Sequence, residues 1–519
     1  MRTWLLSAAV CLSLAAPAQP QARPSAPAPR TPKLVLAIVI DQFRYDYLTR
    51  FRSEYTGGLK RMLDDGADFT NARYIHVPTV TAAGHATFLS GSTPSLTGII
   101  GNEWWDRTAG ASVTSVSDTQ THLLGAIGEG ASPRRMLQST IGDELKASGK
   151  GGKVIGISVK DRSSILTAGH TADGAYWIDA KSGNFVSSTY YFNALPAWVT
   201  DVNQTHPADK YAGREWLHHK MPAPGPALYG ELETAPYGNE LIQQLALRAL
   251  SAEKLGEGAK TDVLAISYSA NDAVGHRYGP DSEEAHDMAL RVDKLLGELF
   301  QAAEAQTGRG EVLAVLTADH GVAPLPEVDQ QRKMPGGRLE AARMSAAMEA
   351  ALEAKFGGSH WIAFFGDAGA YLNLVPGVNP AEAENVAADA LRAYPHVARV
   401  YTHTQLEKGE LQADAVGTKV RNGFNAARSA NVLYVLEPYW MVMRPAGTAH
   451  GSPYDYDTHV PMLFLGPGIK PGRYNANVAP NDIAPTLATL LDIETPSGSV
   501  GRVLSEMLKE SPSLPRLLH

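Results

Sequence analysis

Three aspartates in this chain each follow a short apolar run. Asp41 comes directly after LVLAIVI (Leu34–Ile40), Asp319 and His320 follow VLAVLT (Val312–Thr317), and Asp272 comes shortly after VLAIS (Val263–Ser267), with His276 four residues further on. The i, i+4 spacing of Asp272 and His276 puts both on one face of a helical turn. Singly, an aspartate after a strand is a turn or helix-cap residue and an Asp-His pair is a solvated loop. Coinciding at three strand ends, Asp41, Asp272, His276, Asp319 and His320 make an oxygen and nitrogen ligand set suited to zinc-like ions. Two such ions about 4 Å apart can hold the attacking and leaving oxygens of an in-line displacement at phosphorus.

The elements that must position these residues read as strands and helices in alternation. The three runs are rich in branched residues, as expected of strands buried on both faces, and KVIGIS (153–158) and PMLFLG (461–466) repeat the signature. Amphipathic helical patterns such as Asp281 to Gln301 lie between them. The expectation is an α/β fold with a largely parallel central sheet flanked by helices, whose ligands bind beyond the carboxyl ends of the strands. Segments at about 103–235 and 325–445 break the rhythm and are expected to be cap insertions in a single catalytic domain spanning 34–519.

Composition narrows the classes. The chain has 519 residues, 44% hydrophobic and 19% charged, enough to bury a large core in a soluble globular protein. A formal net charge of -8 with scattered lysines and arginines argues against nucleic acid as a specific partner. Arg2 precedes an apolar run from Trp4 to Ala16, and Ala16-Pro17-Ala18 has the small-x-small form of a cleavage site, so residues 1–18 read as a signal peptide and the protein as exported, periplasmic or secreted. The run is too short to span a bilayer, which takes about 20 residues, so no membrane anchor is expected in the mature chain. Cys11, the single cysteine, lies inside the signal, and Val10 before it is bulkier than a lipoprotein signal admits. Any metal in the mature chain must therefore be held by histidine, carboxylate or hydroxyl groups. Residues 19–33, with five prolines, read as an extended linker.

PTVTAAGHAT (Pro78–Thr87) sets two threonines before a helix-favouring run. On its own, a threonine there is a helix-start residue. The order of Asp41, Thr-x-x-x-His at 81–85, Asp-x-x-x-His at 272–276, Asp-His-Gly at 319–321 and Gly-x-x-His at 447–450 resembles the alkaline phosphatase superfamily, most closely its periplasmic PafA-type alkaline phosphatases. VIDQFRYDYL (39–48), VPTVTAAGHATFLSGSTPSLTGIIGNEWWD (77–106), SVKDRSSILTAGHTADGAYW (158–177), NDAVGHRYGP (271–280), TADHG (317–321), GTAHGSPYDYDTHVPMLFLGPGIKPG (447–472) and NDIAPTLATLL (481–491) carry the likeness across the mature chain.

The resemblance implies two zinc ions per chain, one held by Asp272, His276 and His450, the other by Asp41, Asp319, His320 and the Thr81 hydroxyl. It selects His450 over His459, leaving His459 a supporting or structural role. It implies that Thr81 is the nucleophile, with Thr79 structural, and that Asn102, Lys160 and Arg162 clamp the transferred phosphoryl group. Two cations and an amide suit a dianionic monoester, whose terminal oxygens are all free. The expected activity is hydrolysis of small-molecule phosphate monoesters through a phosphothreonine; the alternative is a nucleotide pyrophosphatase/phosphodiesterase on the same metal core. The sulfatase motif Cys/Ser-x-Pro-x-Arg is missing, and Thr81 is not followed by the Phe-Pro-Asn typical of those phosphodiesterases. His76, His85 and His170 read as core or supporting histidines, and Trp104, Trp105, Tyr176 and Trp177 either line the cap or pack it. The oligomeric state is left open, with a monomer favoured.

Overall fold

The computed structural model describes residues 31–367, 369–411, 414–442 and 446–509. The predicted signal peptide at 1–18 and most of the predicted linker at 19–33 lie outside the described residues. The fold starts where the apolar runs start. Five parallel strands, β1 (Leu34–Ile40), β2 (Gly151–Ser158), β3 (Gly174–Ile178), β4 (Thr261–Tyr268) and β5 (Val312–Thr317), stand side by side in the order β5-β1-β4-β2-β3. Every residue of β1 is buried, because alternate side chains feed two cores: Leu36, Ile38 and Ile40 on one face, Val35, Ala37 and Val39 on the other. This two-sided burial is what a continuous apolar run encodes.

Register then fixes the site. Ile40 pairs with Tyr268 and Val39 with Thr317, so the chain leaves β1, β4 and β5 at one sheet edge. Three short helices open there: α1 (Thr81–Ser90), α2 (Asp161–Ala168), directly after β2, and α3 (Ala270–Tyr278), directly after β4. The helical pattern after Asp281 becomes α4 (Glu283–Thr307). No helix among the described residues is long and apolar enough to cross a membrane.

Two expectations need correction. PMLFLG does form a strand, Met462–Leu465, but it runs antiparallel to β5, and Ala67–Phe69 pairs antiparallel beyond it. Its apolar run reports burial next to the sheet centre and says nothing of direction. The segment at about 103–235 is also not a cap over the sheet: it contributes β2 and β3 and then extends the same eleven-stranded sheet through Phe185–Ser188, Ser117–Leu124 and Glu129–Ala131. The segment at about 325–445 builds a sheet of its own, antiparallel and four-stranded, from Ile362–Gly366, Gly369–Leu372, Val432–Leu436 and Val397–Thr402. Helices Ala341–Phe356 and Pro380–Arg392 back it with a core of their own, including Met344, Met348 and Leu391.

Candidate active site

Two ligand sets gather at the carboxyl edge. Asp272, His276 and His450 each offer an atom within 4.8 Å of the other two, and Asp41, Asp319 and His320 do the same. The histidines are oriented alike: Nδ1 faces a backbone carbonyl, Thr448 O at 2.6 Å for His276, Gly321 O at 2.9 Å for His320 and Thr79 O at 2.8 Å for His450. A carbonyl only accepts, so Nδ1 carries the hydrogen and Nε2 is turned toward carboxylate. His276 Nε2 stands 3.2 Å and His450 Nε2 3.6 Å from Asp272 Oδ1, while His320 Nε2 stands 3.5 Å from Asp41 Oδ1 and 3.4 Å from Asp319 Oδ2.

Electrostatics say what such an arrangement suits. Asp41 Oδ1, Asp319 Oδ2 and His320 Nε2 are buried without a hydrogen-bond partner, a costly state for polar atoms unless a cation joins them. Burial, with the neighbouring Asp319 charge, pushes the Asp41 carboxyl up to about 7. Burial holds His320 down at about 4 and His450 well below its usual range, so both present lone pairs. At His276 burial opposes the proton, but the Asp272 carboxylate outweighs it and raises the group to about 9. A proton and a metal ion are thus alternative cations at that nitrogen. Carboxylate oxygens and imidazole nitrogens without thiolates fit a zinc-like divalent ion at each set.

Gln42, which carries no sequence signal beyond following Asp41, orients both sets. Its Nε2 donates to Asp272 Oδ1 at 2.6 Å and its backbone N–H to Asp319 Oδ1 at 3.1 Å. To do so it adopts φ +62°, a left-handed backbone that costs a side-chain-bearing residue about 1–3 kcal/mol. Gly84 lets α1 approach the second set: a Cβ there would stand 2.3 Å from the Asp319 carbonyl oxygen.

Thr81 is the first residue of α1 and nearly inaccessible, at 1% exposure. It starts the helix as expected, but it is not the cap. The N-cap position is Val80, which has no side-chain cap to offer, and the Ala82 N–H donates instead to Asn102 Oδ1 at 2.9 Å. Asn102 is thereby fixed at the positive end of the helix with its Nδ2 donor left for a ligand. Thr79 is structural: its hydroxyl donates to Ser452 O at 2.9 Å, on the loop that carries His450.

Lys160 reaches between the two sets, with Nζ 2.8 Å from Asp41 Oδ2 and 2.6 Å from Asp272 Oδ2. Burial works against its charge, but the Asp272 and Asp41 carboxylates outweigh it and hold the ammonium above its ordinary range. The ammonium therefore belongs to the charge balance of the ligand sets, a position that spacing could not disclose. Arg162, at the start of α2, has a buried Nε with no hydrogen-bond partner, and its Nη1 is 4.0 Å from the Asp161 carboxylate.

The remaining residues fall away from the chemistry. His459 donates to Thr70 O and stacks on Tyr45 at 4.5 Å, outside both ligand sets. His76 is buried edge-on to Tyr74, and His170 faces Gln138 O. Trp104 packs between Arg135 and Arg428, Trp105 lies on Phe364, Tyr176 is packed by Phe192 and Trp198, and Trp177 is in the same core cluster as Trp104. The cavity beside the site, about 210 Å³, is instead lined by Asn102, His276 and His450 on one side and by Tyr434, Leu436 and Trp440 from the segment at about 325–445 on the other.

Asp457, on the loop after His450, accepts the Ser452 N–H at 2.8 Å, and burial raises its carboxyl from 3.8 to about 7. The folded state binds this proton more tightly than the unfolded chain, so the contribution to stability is full below about 3.8 and is lost as pH rises through about 7. Asp457→Asn keeps the acceptor and removes the charge. Thermal melts of the variant should show a shallower decline in Tm between about pH 4 and 8 than the wild type; parallel curves would mean the group stays ionised.

Residues 35–460 match the family model of the type I phosphodiesterase / nucleotide pyrophosphatase family. Over 92% of its length the chain is 35% identical to an alkaline phosphatase, PhoV, of Synechococcus elongatus, covering 93% of that protein. It is 36% identical to the alkaline phosphatase PafA of Elizabethkingia meningoseptica, again over 92% of the chain and 94% of the relative. The crystal structure of wild-type PafA superposes with a TM-score of 0.86 at 34% identity, covering 92% of this chain and 99% of that one.

Proposed function

Since this chain belongs to the type I phosphodiesterase / nucleotide pyrophosphatase family of hydrolases, within the alkaline phosphatase superfamily, we propose that it is an exported phosphomonoesterase using two zinc ions. Its substrates in this reading are small-molecule phosphate monoesters, and its product is inorganic phosphate. The observation that supports the reading is that Asn102 stands at the start of α1 and Lys160 between the two ligand sets, with Arg162 near Lys160 in the first turn of α2. Relatives at about 35% identity that are named alkaline phosphatases support the monoester over the diester.

Asp272, His276 and His450 would hold one zinc ion and Asp41, Asp319 and His320, with the Thr81 hydroxyl, the other. When bound, the ions supply Lewis-acid charge that favours ionised oxygen at neutral pH. The chain's own groups do the rest. The positive end of α1 favours an anion at Thr81 and on the phosphoryl group beside it. Asn102 Nδ2, the Lys160 ammonium and the Arg162 guanidinium take the non-bridging oxygens, with Arg162 able to hold two at once. Thr81 Oγ gives its proton to solvent and attacks phosphorus, the bond from phosphorus to the ester oxygen breaks, and the alcohol leaves with a proton from solvent. Water then attacks the phosphothreonine, the bond to Oγ breaks, and the threonine hydroxyl and phosphate are released.

Hydrolysis of p-nitrophenyl phosphate against bis-p-nitrophenyl phosphate by the zinc-loaded protein tests the reading. A preference for the diester would overturn it in favour of the phosphodiesterase that the family model's name suggests. The double variant Lys160→Ala, Arg162→Ala should lower monoesterase kcat/KM about 100-fold more than diesterase kcat/KM, since a diester carries one less charge and one more substituent. An unchanged ratio would remove the clamp from the mechanism.

A further inference from the structure

A chain of buried hydroxyls runs beneath the site and has one hydrogen-bond direction. It starts at His85, one turn into α1 and fully buried. His85 Nδ1 is 2.8 Å from Thr81 O and 3.2 Å from Asp319 Oδ2. Both neighbours are acceptors, so Nδ1 bears the hydrogen, and in the neutral ring Nε2 is the accepting nitrogen. The partner of Nε2 is Ser267 Oγ at 2.9 Å, which must therefore donate. Having spent its hydrogen, Ser267 accepts from Ser269 Oγ at 3.0 Å; Ser269 in turn accepts from Ser158 Oγ at 2.7 Å. Ser158 Oγ then accepts the backbone N–H of Lys160 at 3.3 Å. All three serines are at most 2% exposed, so no bulk water competes for these hydrogens.

The two ends of the chain are the groups that must be held in register. One end touches the residue bearing the nucleophile and a ligand carboxylate; the other fixes the backbone of Lys160 at the start of α2. Ser267 is the penultimate residue of β4, Ser269 immediately precedes α3 and Ser158 closes β2, so the chain also crosses the strand that delivers Asp272. We propose that His85 is a positioning residue: through one polarised chain it aligns Thr81 and Asp319 with Lys160, so that nucleophile, ligand and clamp move as a unit. Cooperative chains of this kind are worth more than their separate links, and only coupled measurements reveal them. The catalytic consequence rests on the proposed roles of Thr81 and Lys160.

Five variants test it: His85→Ala, His85→Asn, Ser267→Ala, Lys160→Ala, and Ser267→Ala combined with Lys160→Ala. In the zinc-loaded protein, His85→Ala should lower kcat on p-nitrophenyl phosphate about 100-fold while KM moves less than about threefold, since alignment matters most in the transition state. His85→Asn should recover about tenfold of that loss, because an amide Nδ2 can take the place of Nδ1 toward Thr81 O. Ser267→Ala, a milder change, should cost about tenfold, and the double variant should lose less than the product of its two single losses. Zinc affinity measured by chelator competition should fall about 10–100-fold in His85→Ala, the usual effect of removing a group that supports a ligand. That last readout separates the two ideas: a wild type inactive on p-nitrophenyl phosphate would sink the function, not the positioning. Multiplicative losses in the double variant, no rescue by asparagine, or unaltered zinc affinity would each overturn the proposal, with Tm confirming that the variants fold.

Discussion

Thr81→Ala is expected to lower kcat/KM for p-nitrophenyl phosphate about a thousandfold or more and to abolish any acid-stable phosphoenzyme. The variant removes one hydroxyl and one methyl group from a fully buried position at the start of α1, so a small packing loss of about 1 kcal/mol is the whole expected structural cost. Thr81→Ser controls for it: the oxygen stays, and activity should remain within about a hundredfold of wild type. Rapid acid quenching of wild type with labelled substrate should trap phosphate on the tryptic peptide that contains Thr81. Alanine should leave that peptide unlabelled. Should Thr81→Ala retain more than about a tenth of wild-type turnover, the hydroxyl is not the nucleophile, and direct attack by water would replace the two-step scheme.

Thr81 also shows how far the sequence could be read. Its place at a helix start was legible, because AAGHATFL can hardly be anything but helix, but the group that caps that helix was not. The capping is done by Asn102, twenty residues on, and no local pattern announces a cap delivered from another loop. The acid-tipped strands were legible for a simpler reason: a run buried on both faces is apolar throughout, and a charged residue at its end stands out. The same simplicity misled at Met462–Leu465, where burial without direction was read as parallel pairing. The resemblance implied a phosphoryl clamp at Lys160, and only the fold sets its ammonium between Asp41 and Asp272. The serine chain was invisible in sequence, since Ser158, Ser267 and Ser269 acquire meaning only when β2 and β4 lie side by side.

Removing the metal should abolish activity and weaken the fold in a pH-dependent way. Exhaustive chelation is expected to reduce turnover about 10³-fold or more, and zinc should restore it. Asp319→Ala and His276→Ala each strip one ligand set, so bound zinc should fall from two to about one per chain in either variant. A stoichiometry of one in the wild type would reject the two-ion reading outright. Ligand that binds only the folded chain stabilises it by about 2.7 kcal/mol when present at a hundredfold excess over Kd. The sign of the pH effect follows from Asp41, and His276, raised from 6.5 to about 9 against burial by the Asp272 carboxylate, works in the same direction because a metal displaces its proton too. In the metal-free protein the Asp41 carboxyl is raised from 3.8 to about 7, foremost by burial and then by the Asp319 charge, so the stability it contributes is full below about 3.8 and is lost as pH rises through about 7. A bound cation favours the ionised carboxylate and cancels that loss. The gain in Tm on adding zinc should therefore widen from about pH 5 to about pH 8. His320 does not disturb the comparison, because burial keeps it neutral down to about 4 without the metal and ligation requires it neutral with the metal. A zinc-dependent gain that narrows over the same interval would mean that neither Asp41 nor His276 gives up a proton to a bound cation.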